Sequence, residues 1–537
     1  MSGGARTALS VLGRTCWAAV VLALGAGVVY GATAFPGERS RPTAPLTAVA
    51  PPTTGVLVCP GPLRLATEQA GDDVAYDPAF DPTPADASSD LVALTAASGT
   101  GEAAAGSGPA RVEGLAGGEP IAEIPAAAEV GLLARSGAEA GLVLRADPVG
   151  DSSPWAAAGF VWRTGTGDLR GLAAASCQSP AATTWLVGGS TVLGSSARLV
   201  LQNPGATPAT VSLRMWGARG PVELAGAPDY LVAPGEEEMI LLEGLAAEQD
   251  QVVLQVSATG GLVTAYLQDS RTDGLTPAGV DLVVGGAEPA TELMIPAVTV
   301  TQGDPLPATV RILAPGESDG PGGDPGRDDQ APVGGMAHVV LLGPDGPVEL
   351  PGAADVSVDV GQVIDVPLPD LPPGDYTAWV TADLPVVAGA STSRVGRGAA
   401  ADGGTPVERA WSPAVTGGLT GPLAVPGHES GRLVLGAAPA SDGADPTQVE
   451  VIALDEAGTV LGRRVVEVPA GQSVSFPLTQ LAAAAPDAGP GPRASAVVVR
   501  GADQRFAWGV VLGSSGISVL APVPQPGARP HVQVTLG

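Results

Sequence analysis

The clearest regularity along the chain is apolar alternation with a period of two. Val211, Leu213 and Met215 take every other position, with Ser212 and Arg214 between them. Val356, Val358 and Val360 repeat the pattern, with Ser357 and Asp359 on the opposite face and Gly361 closing the run. A strand turns successive side chains to opposite faces, so these runs predict β-strands with one side on a core and one side in water. Three stretches, 197–271, 308–394 and 431–515, share one plan. A strand and a turn lead into an alternating strand, then a turn of the Gly-Pro-Val or Gly-Thr-Val type, further short strands and an apolar closing pair. The turns at Pro234–Glu236 and Ala470–Gln472 supply a glycine suited to a positive φ. About six short strands per roughly hundred residues predict antiparallel β-sandwiches.

The expected fold is therefore all-β: tandem antiparallel β-sandwich (Ig-like) modules after one N-terminal transmembrane helix, with disordered Ala/Gly/Asp-rich inserts. The boundaries read from the sequence begin with 1–14 as a cytoplasmic N-terminus, 15–35 as a transmembrane anchor or signal peptide and 36–55 as a Pro/Thr-rich linker. An N-terminal β-domain follows over 56–190, with a disordered insert over about 70–120. Repeats are expected at 191–297, at 298–400 with a disordered loop over about 316–335, and at 401–537. The inserts are rich in Gly, Asp, Ala and Pro and offer little apolar surface to bury.

The first 35 residues set the compartment. Arg6 and Arg14 precede an uncharged, mostly apolar run from Thr15 to Phe35. Such a run is long enough to span a bilayer, and the arginines place its start in the cytoplasm. Ala32-Thr33-Ala34 also fits a signal-peptidase site. The bulk of the chain is expected outside the cell membrane, tethered if the helix is kept and secreted if it is cleaved after Ala34. Cys16 lies inside the apolar run, which leaves Cys59 and Cys177 outside. Two cysteines in an oxidising compartment predict a Cys59–Cys177 disulfide. Closing that loop of roughly 120 residues would be worth about 4–5 kcal/mol in the chain-entropy model.

Composition narrows the function. The formal net charge is −29, and all 26 basic residues are arginines. That charge argues against nucleic acid and anionic polymers as partners. With no lysine there is no P-loop, Schiff base or Ser–Lys dyad. His338, His428 and His531 are scattered, so they form no readable zinc motif and give Cys177 no neighbouring base. The one Gly-x-Ser-x-Gly match, Gly316 to Gly320, falls in the polar loop over about 316–335 and not at a strand-to-helix elbow. The acid pairs Asp72-Asp73 and Asp328-Asp329 fall in polar inserts and read as solvated. Only Asp269, Asp273 and Asp281 remain open as glycosidase carboxylates. Trp155, Trp162, Trp185, Trp216, Trp411 and Trp508 sit in apolar strand contexts and read as core rather than as sugar-stacking platforms.

Cys177-x-x-Pro180, Trp185-x-x-Gly188-Gly189, the Leu199-x-Leu201-x-Asn203-Pro204 strand end and "GLVTAYLQDSR" at 261–271 carry a family likeness. On these motifs the chain resembles the actinobacterial secreted or membrane-anchored proteins catalogued as domain of unknown function five-seven-one-nine. The resemblance implies an extracytoplasmic location and supplies no active site. The expected function is a non-enzymatic cell-envelope scaffold or binding protein without cofactor or metal. Its expected partners are an envelope polysaccharide, another envelope protein, and the membrane through the N-terminal helix. A carbohydrate-binding or carbohydrate-active accessory protein is the alternative.

Overall fold

The structure, a computed structural model, describes residues 17, 46–49, 52–65, 82–97, 106–138, 140–226, 229–316, 334–348, 350, 354–427, 430–440, 444–481, 493–501, 503–513, 516–525 and 531–534. The chain divides into two units: Met1–Pro51 with Pro530–Gly537, and Pro52–Arg529. In the first unit, β1 (Leu46–Val49) pairs antiparallel with a strand at His531–Val534. All but one residue of the expected membrane segment 15–35 lie outside the described residues, as do Asp72-Asp73 and Asp328-Asp329. Among the described residues no helix is long and apolar enough to cross a membrane.

The second unit is all-β and contains four modules. The first comprises β2 (Gly55–Cys59), β3 (Ser88–Ala96), β4 (Ala110–Gly114), β5 (Ala122–Ile124), β6 (Val130–Ser136), β7 (Leu142–Ala146), β8 (Trp155–Thr164) and β9 (Gly171–Ser176). Its sheets run β2-β7-β4-β5 and β6-β3-β8-β9. The second comprises β10 (Thr183–Val187), β11 (Ser195–Gln202), β12 (Ala209–Gly217), β13 (Gly220–Val222), β14 (Asp229–Val232), β15 (Glu237–Leu241), β16 (Val253–Thr259), β17 (Thr264–Asp273) and β18 (Thr276–Val284). Its sheets run β10-β16-β12-β13, with β14 also on β12, and β15-β11-β17-β18.

The third module comprises β19 (Ala290–Val300), β20 (Ala308–Leu313), β21 (Gly334–Gly343), β22 (Gly346–Val348), β23 (Asp355–Asp359), β24 (Val363–Leu368), β25 (Gly374–Val395) and β26 (Val407–Pro413). The fourth comprises β27 (Gly421–Ala424), β28 (Gly431–Ala437), β29 (Thr447–Leu454), β30 (Val460–Val468), β31 (Gln472–Pro477), β32 (Ala496–Arg500), β33 (Phe506–Leu512) and β34 (Ser518–Leu520). Its sheets run β27-β32-β29-β30 and β31-β28-β33-β34. With β13 and β14 counted as one position, and likewise β22 and β23, every module thus places its first, sixth, third and fourth strand positions in one sheet and its fifth, second, seventh and eighth in the other. The third module obeys the rule with one variation: the sixth and seventh positions are a single strand, β25. Its first part pairs with β21 and its last part with β20 and β26.

The alternation read from the sequence maps directly onto these sheets. Val211, Leu213 and Met215 on β12 are buried, whereas Thr210 and Arg214 are exposed. Gly235 and Gly471 turn with φ of +73° and +76°, a conformation open to glycine without steric penalty. Residues of both sheets of a module share one apolar cluster, as do Ile295, Val339 and Val380 with Val310, Val366 and Ala388 in the third.

One expectation is corrected. The stretch over about 70–120 is not a continuous unstructured insert: Ser88–Ala96 and Ala110–Gly114 are strands with buried residues. Their Ala, Ser and Thr content and the acidic residues around them conceal an alternation that becomes favourable once both sheets close on it. Residues 66–81, 98–105 and 317–333 lie outside the described residues.

The modules contact one another in a closed cycle. Val280, Leu282 and Val284 of the second join the core of the first. Trp411 of the third joins the core of the second. Ala297 and Ala410 of the third pack with Val434, Val511 and Val519 of the fourth, and Val161, Leu172 and Ala174 of the first enter the core of the fourth. Strands covered on both faces lose their polar alternation, as in the fully buried "GLAAAS" of β9 and "FAWGVVL" of β33. Alanines let some of these faces approach closely, as Ala157, Ala424 and Ala496 do between the first and fourth modules.

Candidate functional site

The eighth-position strands β9, β18, β26 and β34 contact each other in the same cyclic order. One carboxyl group ties them together. Asp281 on β18 is 1% exposed. Its Oδ2 accepts the backbone N–H of Trp411 on β26 at 2.7 Å. Its Oδ1 lies 2.7 Å from Ser518 Oγ on β34. Ser518 Oγ is in turn 3.3 Å from the carbonyl oxygen of Ala174 on β9. Burial pushes the Asp281 carboxyl up to about 8, against the opposing pull of the Trp411 amide and the Ser518 hydroxyl. The protonated acid donates to Ser518 Oγ, whose own hydroxyl hydrogen can reach Ala174. All four modules thus meet through one neutral acid.

A second junction surrounds Trp411. Its Nε1–H donates to Asp269 Oδ2 at 2.8 Å, so Asp269 and Asp281, cross-strand partners on β17 and β18, grip one residue of the next module. The indole fits because position 188 is glycine: a Cβ there would stand 3.0 Å from two indole carbons. Arg311, 5% exposed, lies 5.3 Å above the ring and pairs with Asp365 at 2.8 Å. It also donates to the carbonyls of Gly189 and Val252 at 2.8 and 3.2 Å.

The family motifs resolve into contacts of this kind. Cys59 and Cys177 form a disulfide joining the end of the first module's first strand to the residue after its last. Trp185 stacks on Trp216 with ring centroids 5.4 Å apart and donates to Glu288 at 3.1 Å. Asn203 donates to the carbonyls of Thr207 and Val232 at 2.8 and 3.0 Å and closes its hairpin. Gln268 clamps the backbone of Arg64, accepting its N–H at 2.9 Å and donating to its carbonyl at 2.7 Å. The Tyr266 hydroxyl accepts the Gly61 N–H at 3.3 Å. Of the six residues from Tyr266 to Arg271, three are committed to a neighbouring module.

The four segments that leave the eighth strands also converge. Ser179, Gly286, Thr416 and Pro522, one from each, line a single cleft of about 350 Å³. Val284, Val415 and Val523 give it apolar walls, and Thr183, Thr184 and Thr264 give it hydroxyls. No aromatic ring lines it among the described residues.

The residues singled out from the sequence separate clearly. Trp162, Trp185, Trp216, Trp411 and Trp508 are buried, and Trp155 is half-buried. Asp269 and Asp281 lie inside a seam, while Asp273 is exposed at a hairpin end. Among the described residues no group of three or more His, Cys, Asp or Glu is placed to hold a metal. The Trp411 junction was not legible, because its partners lie 130 and 142 residues away; the Gly188-Gly189 pair was its only local trace.

Comparison with known proteins adds a family and little else. No curated protein matches. The crystal structure of Thermotoga maritima 1070 is similar at 13% identity, over 24% of this chain and 95% of that one, with a TM-score of 0.17. Dimeric latent PorU from Porphyromonas gingivalis is similar at 13% identity, over 63% of this chain and 34% of that one, with a TM-score of 0.11. The model of the family of unknown function DUF5719 matches residues 133–479. That span holds the last strands of the first module from the end of β6 to β9, all of the second and third, and β27 to β31 of the fourth, including the Trp411 junction, and on it the chain belongs to this family.

Proposed function

We propose that this protein is a non-enzymatic scaffold of the cell envelope, held at the membrane by an N-terminal helix, whose Ig-like sandwich modules present one composite site to a protein partner. The cleft built from all four post-strand segments carries this reading. It exists only when the four modules are assembled, and its walls are valines, prolines and threonines rather than paired acids or a nucleophile with its base. The acids that a glycosidase reading would need support the scaffold reading instead, since Asp269 and Asp281 are bonded to Trp411. Apolar walls with hydroxyls around them suit an extended peptide segment. A sugar ring would gain most from an aromatic face.

A photo-crosslinking amino acid at Thr416, in the full chain expressed in its native envelope, tests the proposal. The expected result is one discrete protein adduct, absent when the crosslinker is moved to the exposed turn at Arg219. A carbohydrate adduct would favour the accessory-protein reading, and diffuse labelling equal at both positions would end the scaffold reading.

A further inference from the structure

The Arg271 end of the "YLQDSR" stretch faces a cleft of about 250 Å³ between the second and third modules. Arg311, Arg409 and Thr392 line it too. Arg311 is fully committed to Asp365 and to the backbone carbonyls around it. Among the described residues, the Arg271 and Arg409 guanidiniums have neither a hydrogen bond nor an ion pair. Arg409 is nevertheless held in place. Its guanidinium lies 5.9 Å from the centre of the Trp411 ring. Its stem fills the space that a side chain at Gly279 would need, where a Cβ would come 2.3 Å from Arg409 Cγ. Thr392 is 4% exposed, and its hydroxyl has no partner.

We propose that this cleft binds a small doubly charged oxyanion, a phosphoryl or sulfuryl group, between Arg271, Arg409 and Thr392. Two unpaired guanidiniums present rigid donor forks, which match tetrahedral oxyanions. Burial lowers the pKa of Arg409, and the nearby Arg271 and Arg311 charges lower it further. An anion relieves that crowding. Asp269 and Asp250 act on Arg409 in the opposite sense, but Asp269 spends its Oδ2 on Trp411 and Asp250 is exposed. Neither bonds to Arg271 or Arg409. The size of the cleft limits the ligand to a compact group, and the chain's net charge of −29 works against a long polyanion. The inference does not rest on the scaffold reading, whose cleft lies on other segments.

Isothermal titration of the full chain with sodium phosphate, sodium sulfate and sodium acetate, at constant ionic strength balanced with chloride, decides it. Phosphate and sulfate should saturate one site, and acetate should give no saturable heat. Arg271→Gln and Thr392→Val should each weaken phosphate binding about tenfold, the scale of losing a hydrogen bond to a charged group. Arg219→Gln, on an exposed turn, should leave it unchanged. Circular dichroism of each variant separates loss of the site from loss of the fold. Absence of saturable heat with both dianions, equal binding of acetate, or full affinity in a folded Arg271→Gln protein would overturn the proposal.

Discussion

The seam between the second and third modules and the seam between the fourth and first join the same kinds of sheet by different means. The fourth-to-first seam has a purely apolar cluster of Val92, Leu94 and Ala157 against Ala424, Ile452, Leu454, Ala496 and Val498. The second-to-third seam also has an apolar patch, with Trp185 and Trp216 facing Leu313, Val363 and Val387. Beside that patch it buries Arg311, Asp269, Asp281 and the indole N–H of Trp411. Apolar contact is non-directional and tolerates sliding. A buried polar network is satisfied in one register only, and leaving it half-satisfied is costly. The fourth-to-first seam has buried hydrogen bonds too, from Ala174 N–H to Ser518 Oγ at 3.0 Å and from Ser176 Oγ to the Ala521 carbonyl at 2.6 Å. The second-to-third seam adds buried ionisable groups, which fix more strictly how the modules must be oriented.

Breaking these joints should rank them. Replacing Cys59 and Cys177 by alanine acts on a module rather than a seam and gives the reference effect. With the cysteines 118 positions apart, urea unfolding should show a loss of about 5 kcal/mol in the chain-entropy model. Trp411→Ala should be next, at about 4 kcal/mol, because it empties the indole site and leaves Asp269 without its donor. Ile452→Val in the apolar seam should cost about 1 kcal/mol by the same measurement. Equal losses for the last two would erase the distinction between the seams.

Asp281→Asn should have the smallest effect at pH 4, within about 1 kcal/mol, since an amide reproduces the neutral acid's bonds to Ser518 and Trp411. Its signature is in the pH profile. The folded carboxyl titrates at about 8, and the unfolded one near 3.8. Its stabilising contribution is therefore complete below about pH 4, declines as pH rises and is gone above about pH 8. The variant should lose this decline, up to about 1.4 kcal/mol per pH unit for one proton. A parallel slope in wild type and variant would show that Asp281 is already ionised in the fold.

Much of this architecture was readable in local pattern. The period-two runs around Val211 and Val358, the turn glycines at 235 and 471 and the lone cysteine pair report constraints that act within a strand, a turn or a compartment. The first module's kinship with the other three was not readable. Its β3 is rich in alanine, serine and threonine and lies among acidic residues, so its buried face looks like low-complexity sequence. The sites were less legible still. Asp269 and Asp281 looked like free carboxylates, because nothing near them in the chain announces Trp411. Arg311 and Arg409 carry no local signal at all, since their surroundings are assembled from two modules.

The cycle of contacts changes what a repeat at either end must be. An open stack of repeats needs terminal caps with polar outer faces to stay soluble. In this protein the fourth module covers the first, and the array caps itself with its own members. Removing one module would therefore uncover two apolar faces that suit each other. On separate molecules, such faces make a head-to-tail contact that can propagate without closing. With four modules, each of these apolar seams is instead covered within the chain itself.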